Sequence, residues 1–355
     1  MSELNRPSRR RTRGGPTIHD VARHAGVSRM TVSRVINGET GVRPATRRVV
    51  DAAIRELDYA PNPAARTLAG AAIIRIGLLS RIPSPAYLTE FLVGALEGCG
   101  RINAQLIVQR HRLNADQAAA ADALINARVD GVILPPPLGD ADVLVNRLLG
   151  AGIAVVTTGS TRPASSLASI GIDDFGAALE MTRHLVRLGH RRIGFITGRP
   201  NHAASGLRQK GYCAALDEAG IALDEQLIAT GNFTYRSGLE AAEHLLSLEA
   251  VPTAIFASND DMAAATVAAA HRQGLDVPAD LSVCGFDDTP LATTIWPELT
   301  TIRQPVAEMS DGAVSMLAEL IRAPRDGKAS ADTPHRQLEF ELIRRQSDAP
   351  PRRGR

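Results

Sequence analysis

Two short helical periods joined at a glycine lie between Thr17 and Asn37, and no other feature constrains the start of the chain so tightly. Ile18, Val21, Ala22 and Ala25 recur at i, i+3, i+4 and i+7, which is one apolar face of a helix. Gly26 offers the turn, and Ser28 a hydroxyl able to cap a second helix in which Val32, Val35 and Ile36 point inward. That leaves Arg29, Met30, Thr31, Ser33 and Arg34 outside near its N-terminus, where a helix-turn-helix presents side chains to base edges. A third helix is predicted, with Pro44 in its first turn and Val49, Val50, Ala53, Ile54 and Leu57 on its buried side. The competing reading is a helical hairpin with a solvated basic face. Charge distribution favours DNA: residues 1–72 carry 13 Arg against 6 carboxylates, net +7, whereas the rest carries 27 Lys and Arg against 32 carboxylates, net −5.

Beyond the third helix, Tyr59–Gly70 holds Asn62 as a cap for a helix starting at Pro63 and stopping at Gly70. A helix of about eight residues is unstable alone, so it is either a plain linker or one that forms only when something packs on it. From Ile73 short apolar runs alternate with helical periods, the pattern of βαβ units and a parallel sheet. Strands are predicted near 73–79, 106–109, 131–134, 154–158, 193–197, 254–257 and 281–285. Helices are predicted around 87–102, 117–127, 141–149, 177–188, 207–219, 236–246 and 262–273. Two α/β blocks result, joined near Ser169–Asp174. A strand around 301–303, a helix over 306–321 and a strand over 336–343 return across the gap. Two open α/β lobes leave a cleft at the carboxyl ends of their strands, where a ligand belongs.

Other classes are disfavoured. Cys99, Cys213 and Cys284 are odd in number and far apart, which gives neither a disulfide framework nor zinc spacing and suits free thiols in a reducing cytoplasm. No apolar run is long enough to span a bilayer, and the arginines near the N-terminus have no apolar segment behind them, so export is not expected. His19 and His24 are five apart and His184 and His190 six apart, which is not the spacing of a helical metal site. His190, in a Leu-Gly-His turn, reads as structural. Gly94, Gly98 and Gly100 fall within a helix rather than after a strand, so they form no dinucleotide fingerprint. No enzyme and no cofactor is expected. Residues 1–15 and 347–355 read as disordered Arg/Pro-rich tails.

The whole chain from about Pro16 to Arg344 resembles the lac repressor (LacI/GalR) family of bacterial transcription regulators. The resemblance is carried by the pattern D-V-A-x-x-A-G-V-S-x-x-T-V-S-R-V-I-N at Asp20–Asn37, Y-x-P-N-x-x-A at Tyr59–Ala65 and Leu68-Ala69-Gly70. It continues in Leu188–Ile193, Asn259–Ala263, Ser282–Asp288 and Leu299–Pro305. It implies an all-α helix-turn-helix headpiece (16–60), a hinge helix (61–71) and an α/β core (72–346) of two periplasmic-binding-protein-like lobes with parallel sheets, divided near 172 and crossed again near 303. It also implies a cytoplasmic homodimer, associated with the nucleoid when bound to a palindromic double-stranded operator and controlled by a small sugar effector. Arg29, Met30 and Arg34 match base-reading positions. Ser28, Thr31, Ser33 and Asn37 suit phosphates or helix caps, Asn62 and Ala65 belong to the hinge motif, and Leu68 matches the hinge leucine inserted into the minor groove.

In the core the resemblance implies that Arg208, Asn259 and Asp287 hold sugar hydroxyls, with Phe233 and Tyr87 as aromatic walls. The structural alternatives are an Arg208–Asp287 ion pair and core packing of the two rings; Trp296 suits either packing between the lobes or touching ligand. His202 and Ala204 replace the arginine and threonine of the purine-binding branch, which argues against a purine. Thr158 stands where some sugar-binding members have an aspartate. A neutral sugar is expected, because Asp287 repels an anion unless Arg208 outweighs it. The two-lobed body alone would also suit the sugar-binding protein of a transporter; the helix-turn-helix and the missing signal peptide speak against that.

Overall fold

The structure is a computed structural model and describes residues 16–36, 41–59, 73–111, 116–159, 167–200, 202–323 and 334–352. Asn37, Asn62, Ala65 and Leu68, with the segments 1–15 and 61–71, lie outside the described residues. The chain divides into two units, Met1–Ile73 and Ile74–Arg355.

In the first unit, α1 (Ile18–His24), α2 (Arg29–Ile36) and α3 (Pro44–Glu56) surround a small core in which Val21, Val32 and Val50 are fully buried. The Asp20 carboxylate accepts from the Thr17 N–H at 2.9 Å and hydroxyl at 2.7 Å, fixing the start of α1. Between α1 and α2 the chain passes through Gly26 at φ +64°, a left-handed conformation that favours glycine. The Thr31 N–H then donates to the Ser28 hydroxyl at 3.1 Å and caps α2. Val49 is 50% exposed, contrary to expectation: α3 turns only one stripe, Val50 and Ala53 with Ile54 and Leu57 partly buried, toward a core this small.

The second unit has two lobes. The N-lobe holds β1 (Arg75–Ser80), α4 (Pro85–Ile102), β2 (Gln105–Arg110), α5 (Gln117–Asn126), β3 (Gly131–Leu134), α6 (Asp142–Gly150), β4 (Ala154–Thr158) and β5 (Ala168–Ile172). The C-lobe holds α7 (Asp174–Arg187), β6 (Ile193–Thr197), α8 (Ala203–Glu218), β7 (Ile228–Thr230), α9 (Tyr235–Leu246), β8 (Ala254–Ala257), α10 (Asp260–Arg272), β9 (Ser282–Cys284), α11 (Leu291–Thr294) and β10 (Thr301–Arg303). The chain then returns to the N-lobe with α12 (Val306–Arg322) and β11 (His335–Leu338) and ends in the C-lobe with β12 (Glu341–Ile343). The N-lobe sheet runs β11-β5-β4-β3-β1-β2 and the C-lobe sheet β7-β6-β8-β9, both parallel throughout, with β10 and β12 an antiparallel pair beside β9. α4 and α12 pack so closely that a Cβ on Gly94 would lie 2.0 Å from the Ala307 carbonyl oxygen, which accounts for a glycine inside a helix.

Two expectations need correction here. Residues 336–343 do not form one strand: Leu338 ends the N-lobe edge beside β5, Phe340 packs in the C-lobe core, and Glu341 starts the pairing with β10, so the chain crosses between lobes a third time. Nor is the stretch from Ser347 a loose tail as far as it is described. Ser347 is fully buried, its hydroxyl donating to the Val283 carbonyl at 2.5 Å and accepting the Thr300 N–H at 2.8 Å, while the Val283 N–H donates to the Ser347 carbonyl. Asp348 accepts from Thr300 and lies 2.7 Å from His184 Nε2, and the Ala349 carbonyl meets His190 Nε2 at 2.9 Å. A polar composition that suggests disorder serves here to satisfy backbone groups along β9. Among the described residues, no helix is long and apolar enough to cross a membrane.

Candidate functional site

In the first unit the outward face of α2 carries Arg29, Met30 and Arg34, all exposed, with Met30 66% accessible. The Arg29 guanidinium lies 2.9 Å from His19 Nε2 on α1, which holds the arginine against the turn. Thr31 and Ser33 are half-buried rather than fully outside, and the Ser28 and Thr31 hydroxyls, 2.9 Å apart, are occupied in capping α2.

In the second unit the carboxyl ends of both sheets face one cleft whose wall includes Tyr87, His202, Arg208, Phe233, Asn259 and Asp287. The topology explains the gathering: Tyr87 sits in the first turn of α4 after β1, Asn259 caps α10 after β8, and Asp287 follows β9. Arg208, on α8, is buried; its Nε donates to Asp174 Oδ1 at 2.8 Å, its Nη1 donates to the Ser258 carbonyl and lies 3.8 Å from Asp287 Oδ1, and the guanidinium stacks 3.5 Å above the Phe286 ring. Gln304 Nε2 donates to Asp287 Oδ1. Burial pushes the Asp287 carboxyl well above the usual carboxylate range, with Arg208 opposing and Asp260 adding to the shift. Arg208 and Asp287 are therefore both an ion pair and part of the cleft wall.

Asn259 is heavily engaged: its Oδ1 accepts the Met262 N–H at 3.0 Å, and its Nδ2 donates to the Phe233 carbonyl at 3.2 Å. Phe233 packs on the His202 ring with centroids 4.7 Å apart. Phe233 and Asp287 both hold positive φ, +67° and +115°, an uncommon state for residues with a Cβ that gathers at ligand sites. Tyr87 is half-buried and stacks toward Phe91 at 6.5 Å. Several buried polar atoms lack a protein partner, among them His202 Nδ1, Ser205 Oγ, Ser258 Oγ and Thr158 Oγ1. Native interiors rarely leave such atoms unsatisfied.

Two expected positions lie elsewhere. Thr158 is fully buried at the end of β4 and does not reach the cleft, whose wall there is Gly159. Trp296 is 77% exposed, so it neither packs between the lobes nor touches the cleft. Sequence reasoning missed Asp174, Gln304 and Ser84. Asp174 ended the segment read only as a crossing, and Gln304 sat inside a motif quoted for family likeness. Ser84, the cap of α4, donates to Asp261 Oδ2 at 2.5 Å and joins the N-lobe directly to the C-lobe.

A helical head with exposed arginines and a two-lobed core with a polar cleft together define a ligand-responsive DNA-binding regulator. Residues 17–62 match the model described as bacterial regulatory proteins, lacI family, and residues 182–347 match the periplasmic binding protein-like domain. Catabolite control protein A of Priestia megaterium is 34% identical over 329 residues, 91% of this chain and 98% of that protein. The HTH-type transcriptional regulator CelR of Thermobifida fusca is 36% identical over 313 residues, 86% of this chain and 92% of that protein. The structure of the lac repressor dimer bound to operator and the anti-inducer ONPF superposes with a TM-score of 0.74 at 28% identity, over 95% of this chain and 100% of that one. A structure of CelR in complex with cellobiose gives 0.70 at 31% identity, over 94% and 99%. The chain belongs to the lacI family of bacterial regulatory proteins. It is a DNA-binding transcriptional regulator, not an enzyme, and the transporter reading is not favoured.

Proposed function

We propose that this protein is a homodimeric repressor acting in the cytoplasm, whose grip on a palindromic operator is controlled by a small sugar or sugar derivative bound between the two lobes. The observation that carries this reading is the buried cluster of Arg208, Asp174, Asp287 and Gln304 beside Phe233 at the cleft. A guanidinium fork, an amide and a carboxylate together donate to and accept from vicinal hydroxyls, and an aromatic face covers the apolar side of a sugar ring. CelR, which shares this architecture, is known in complex with cellobiose, and the lac repressor is known bound to operator as a dimer. In the headpiece, Arg29 and Arg34 read guanine edges, Met30 meets a thymine methyl, Ser33 and Asn37 serve backbone phosphates, and Ser28 and Thr31 cap the recognition helix. Asn62, Ala65 and Leu68 belong to the hinge that enters the minor groove.

Control follows from differential affinity. A ligand that favours one arrangement of the lobes shifts the population of the operator-binding form, and a ligand indifferent to the arrangement changes nothing. The test is calorimetry with a panel of mono- and disaccharides and their acidic and phosphorylated forms. Asp287→Ala and Arg208→Ala are expected to lose the binding that the wild-type protein shows, while circular dichroism reports an intact fold. Unchanged affinity in both variants would make the pair purely structural and place the effector elsewhere.

A further inference from the structure

The cleft opens into a second, larger chamber that the sequence motifs do not mark. Inside the cleft, between the side chains described above, only about 60 Å³ is free, room for a few water molecules. The adjoining chamber is about 670 Å³ and shares His202 and Phe233 with the cleft. Its wall carries Arg81 from the end of β1, Arg110 and His111 from the end of β2, and Arg199 from the end of β6, and no carboxylate. Among the described residues, no Asp or Glu forms an ion pair with Arg81, Arg110 or Arg199, whereas the arginines at 101, 147, 183, 192, 208 and 345 all have one. The cations also feel one another. Burial and the charge of Arg199 lower the Arg81 pKa, and burial and Arg81 lower that of His111. Burial with Arg208, Arg199 and Arg81 pushes His202 down to about 3, so that ring stays neutral. Arg81 and Arg199 are half-buried and Arg110 is exposed; arginines gathered on one chamber wall with no carboxylate among its described lining residues form a site that an anion would satisfy.

The two chambers differ in sign. In the inner one, Arg208 faces two carboxylates, Asp174 and Asp287, so excess positive charge is absent there; in the outer one it is concentrated. Weighing Asp287 against Arg208 alone pointed to a neutral sugar, but that comparison covers only the inner end. We propose that the effector is an anionic sugar derivative, a phosphorylated or carboxylated polyol whose hydroxyl end reaches Arg208 and Asp287 and whose anionic group lies between Arg81, Arg110 and Arg199. This rests on the reading of the cleft as the effector site. Arg81 and Arg110 belong to the N-lobe and Arg199 to the C-lobe, so the anion neutralises charges that repel each other across the cleft and favours the closed arrangement of the lobes.

The anion site is tested on the full-length protein without knowing the effector, by following thermal unfolding in inorganic phosphate against chloride at matched ionic strength. Phosphate is expected to raise the midpoint in the wild-type protein and to lose that effect in Arg81→Gln/Arg199→Gln, whose circular dichroism shows an intact fold. Equal midpoints in phosphate and chloride for the wild-type protein overturn the proposal, as does a phosphate effect that survives the double substitution. Matched trios of a hexose, its 6-phosphate and its uronate then separate the two sources of the charge. One acidic member should bind at least about tenfold more tightly than the neutral sugar, and the double variant should erase the preference. Neutral sugars that bind as tightly as their acidic forms contradict the proposal. If phosphate protection stands but no trio member loses affinity in Asp287→Ala, the anion site survives and the sugar reading of the inner cleft fails.

Discussion

The Ser84 hydroxyl donates to Asp261 Oδ2 at 2.5 Å, so the cap of the first N-lobe helix is tied to the first turn of a C-lobe helix across the mouth of the cleft. The same Ser84 oxygen accepts the Tyr87 N–H at 3.3 Å, which couples the start of α4 and its tyrosine to lobe closure. Burial pushes the Asp261 carboxyl up while the Ser84 hydrogen bond pulls it back, the balance of a group that needs this partner. A double-mutant cycle with Ser84→Ala and Asp261→Asn is expected to give a coupling of about 1.5–3 kcal/mol, the range for a hydrogen bond to a charged group. Hydrogen exchange should show faster opening at Tyr87 and Met262 in both variants. A coupling near zero would mean that the lobes are held together by other contacts.

Base reading by α2 is tested at its two exposed arginines. Arg29→Ala and Arg34→Ala should each weaken operator binding by about 1–3 kcal/mol while leaving affinity for random DNA nearly unchanged. Fluorescence anisotropy on both duplexes decides it. Equal losses on the two would reduce both residues to phosphate contacts. His19→Ala should reproduce part of the Arg29 loss, since His19 Nε2 lies 2.9 Å from that guanidinium. Leu68→Ser should cost operator affinity without changing the unfolding of the core.

His202 gives the core a predictable acid sensitivity. Its pKa is pushed from the ordinary 6.5 to about 3 by burial and by Arg208, Arg199 and Arg81. Below pH 6.5 the unfolded chain therefore binds a proton that the folded one refuses, so stability falls as pH drops from 6.5 toward 3, by at most about 1.4 kcal/mol per pH unit. His202→Gln should flatten that slope in urea titrations between pH 6 and 4.5. An unaltered slope would show that His202 protonates freely in the folded core.

The C-terminal segment is a structural strap, and its loss should be costly. Asp348 is buried; burial alone would raise its pKa, but the His184 and Thr300 hydrogen bonds hold it below the usual carboxylate range. Its contribution is thus present above about pH 4 and is lost as pH falls through the lowered folded value. Asp348→Asn should destabilise the core by about 1–3 kcal/mol, because it weakens the buried acceptor shared by His184 and Thr300. Truncation after Gln346 should lower the unfolding midpoint further, because the Val283 N–H and Thr300 N–H lose their acceptors. A truncated chain as stable as the full one would contradict the docking.

Periodicity made much of the fold legible because parallel βαβ units repeat two unambiguous patterns, and β3, β4, β6 and β8 fall where their apolar runs place them. Shorter or polar pieces escaped. β7 is three residues long, too short for a period, and the Ser347–Arg352 stretch is anchored by hydrogen bonds rather than by apolar burial. In the cleft, likeness to a family pointed at Arg208, Asn259 and Asp287, yet it could not show that Asp174 and Gln304 share the same cluster, since 34 residues separate Asp174 from Arg208. Arg81, Arg110 and Arg199 carry no motif at all. Only the strand order brings the ends of β1, β2 and β6 to one chamber.

The central claim is that occupancy of the cleft governs operator affinity. It is tested most directly by anisotropy of a fluorescent palindromic duplex, selected by the protein from a random library, titrated with the wild-type protein and with Asp287→Asn in the presence and absence of the sugar, sugar-acid and sugar-phosphate panel. A panel member should change the operator affinity of the wild-type protein by about tenfold, a coupling of about 1.4 kcal/mol, and leave Asp287→Asn unresponsive with its ligand-free operator affinity intact. An operator affinity that no panel member alters, or an Asp287→Asn variant that still responds in full, would contradict it.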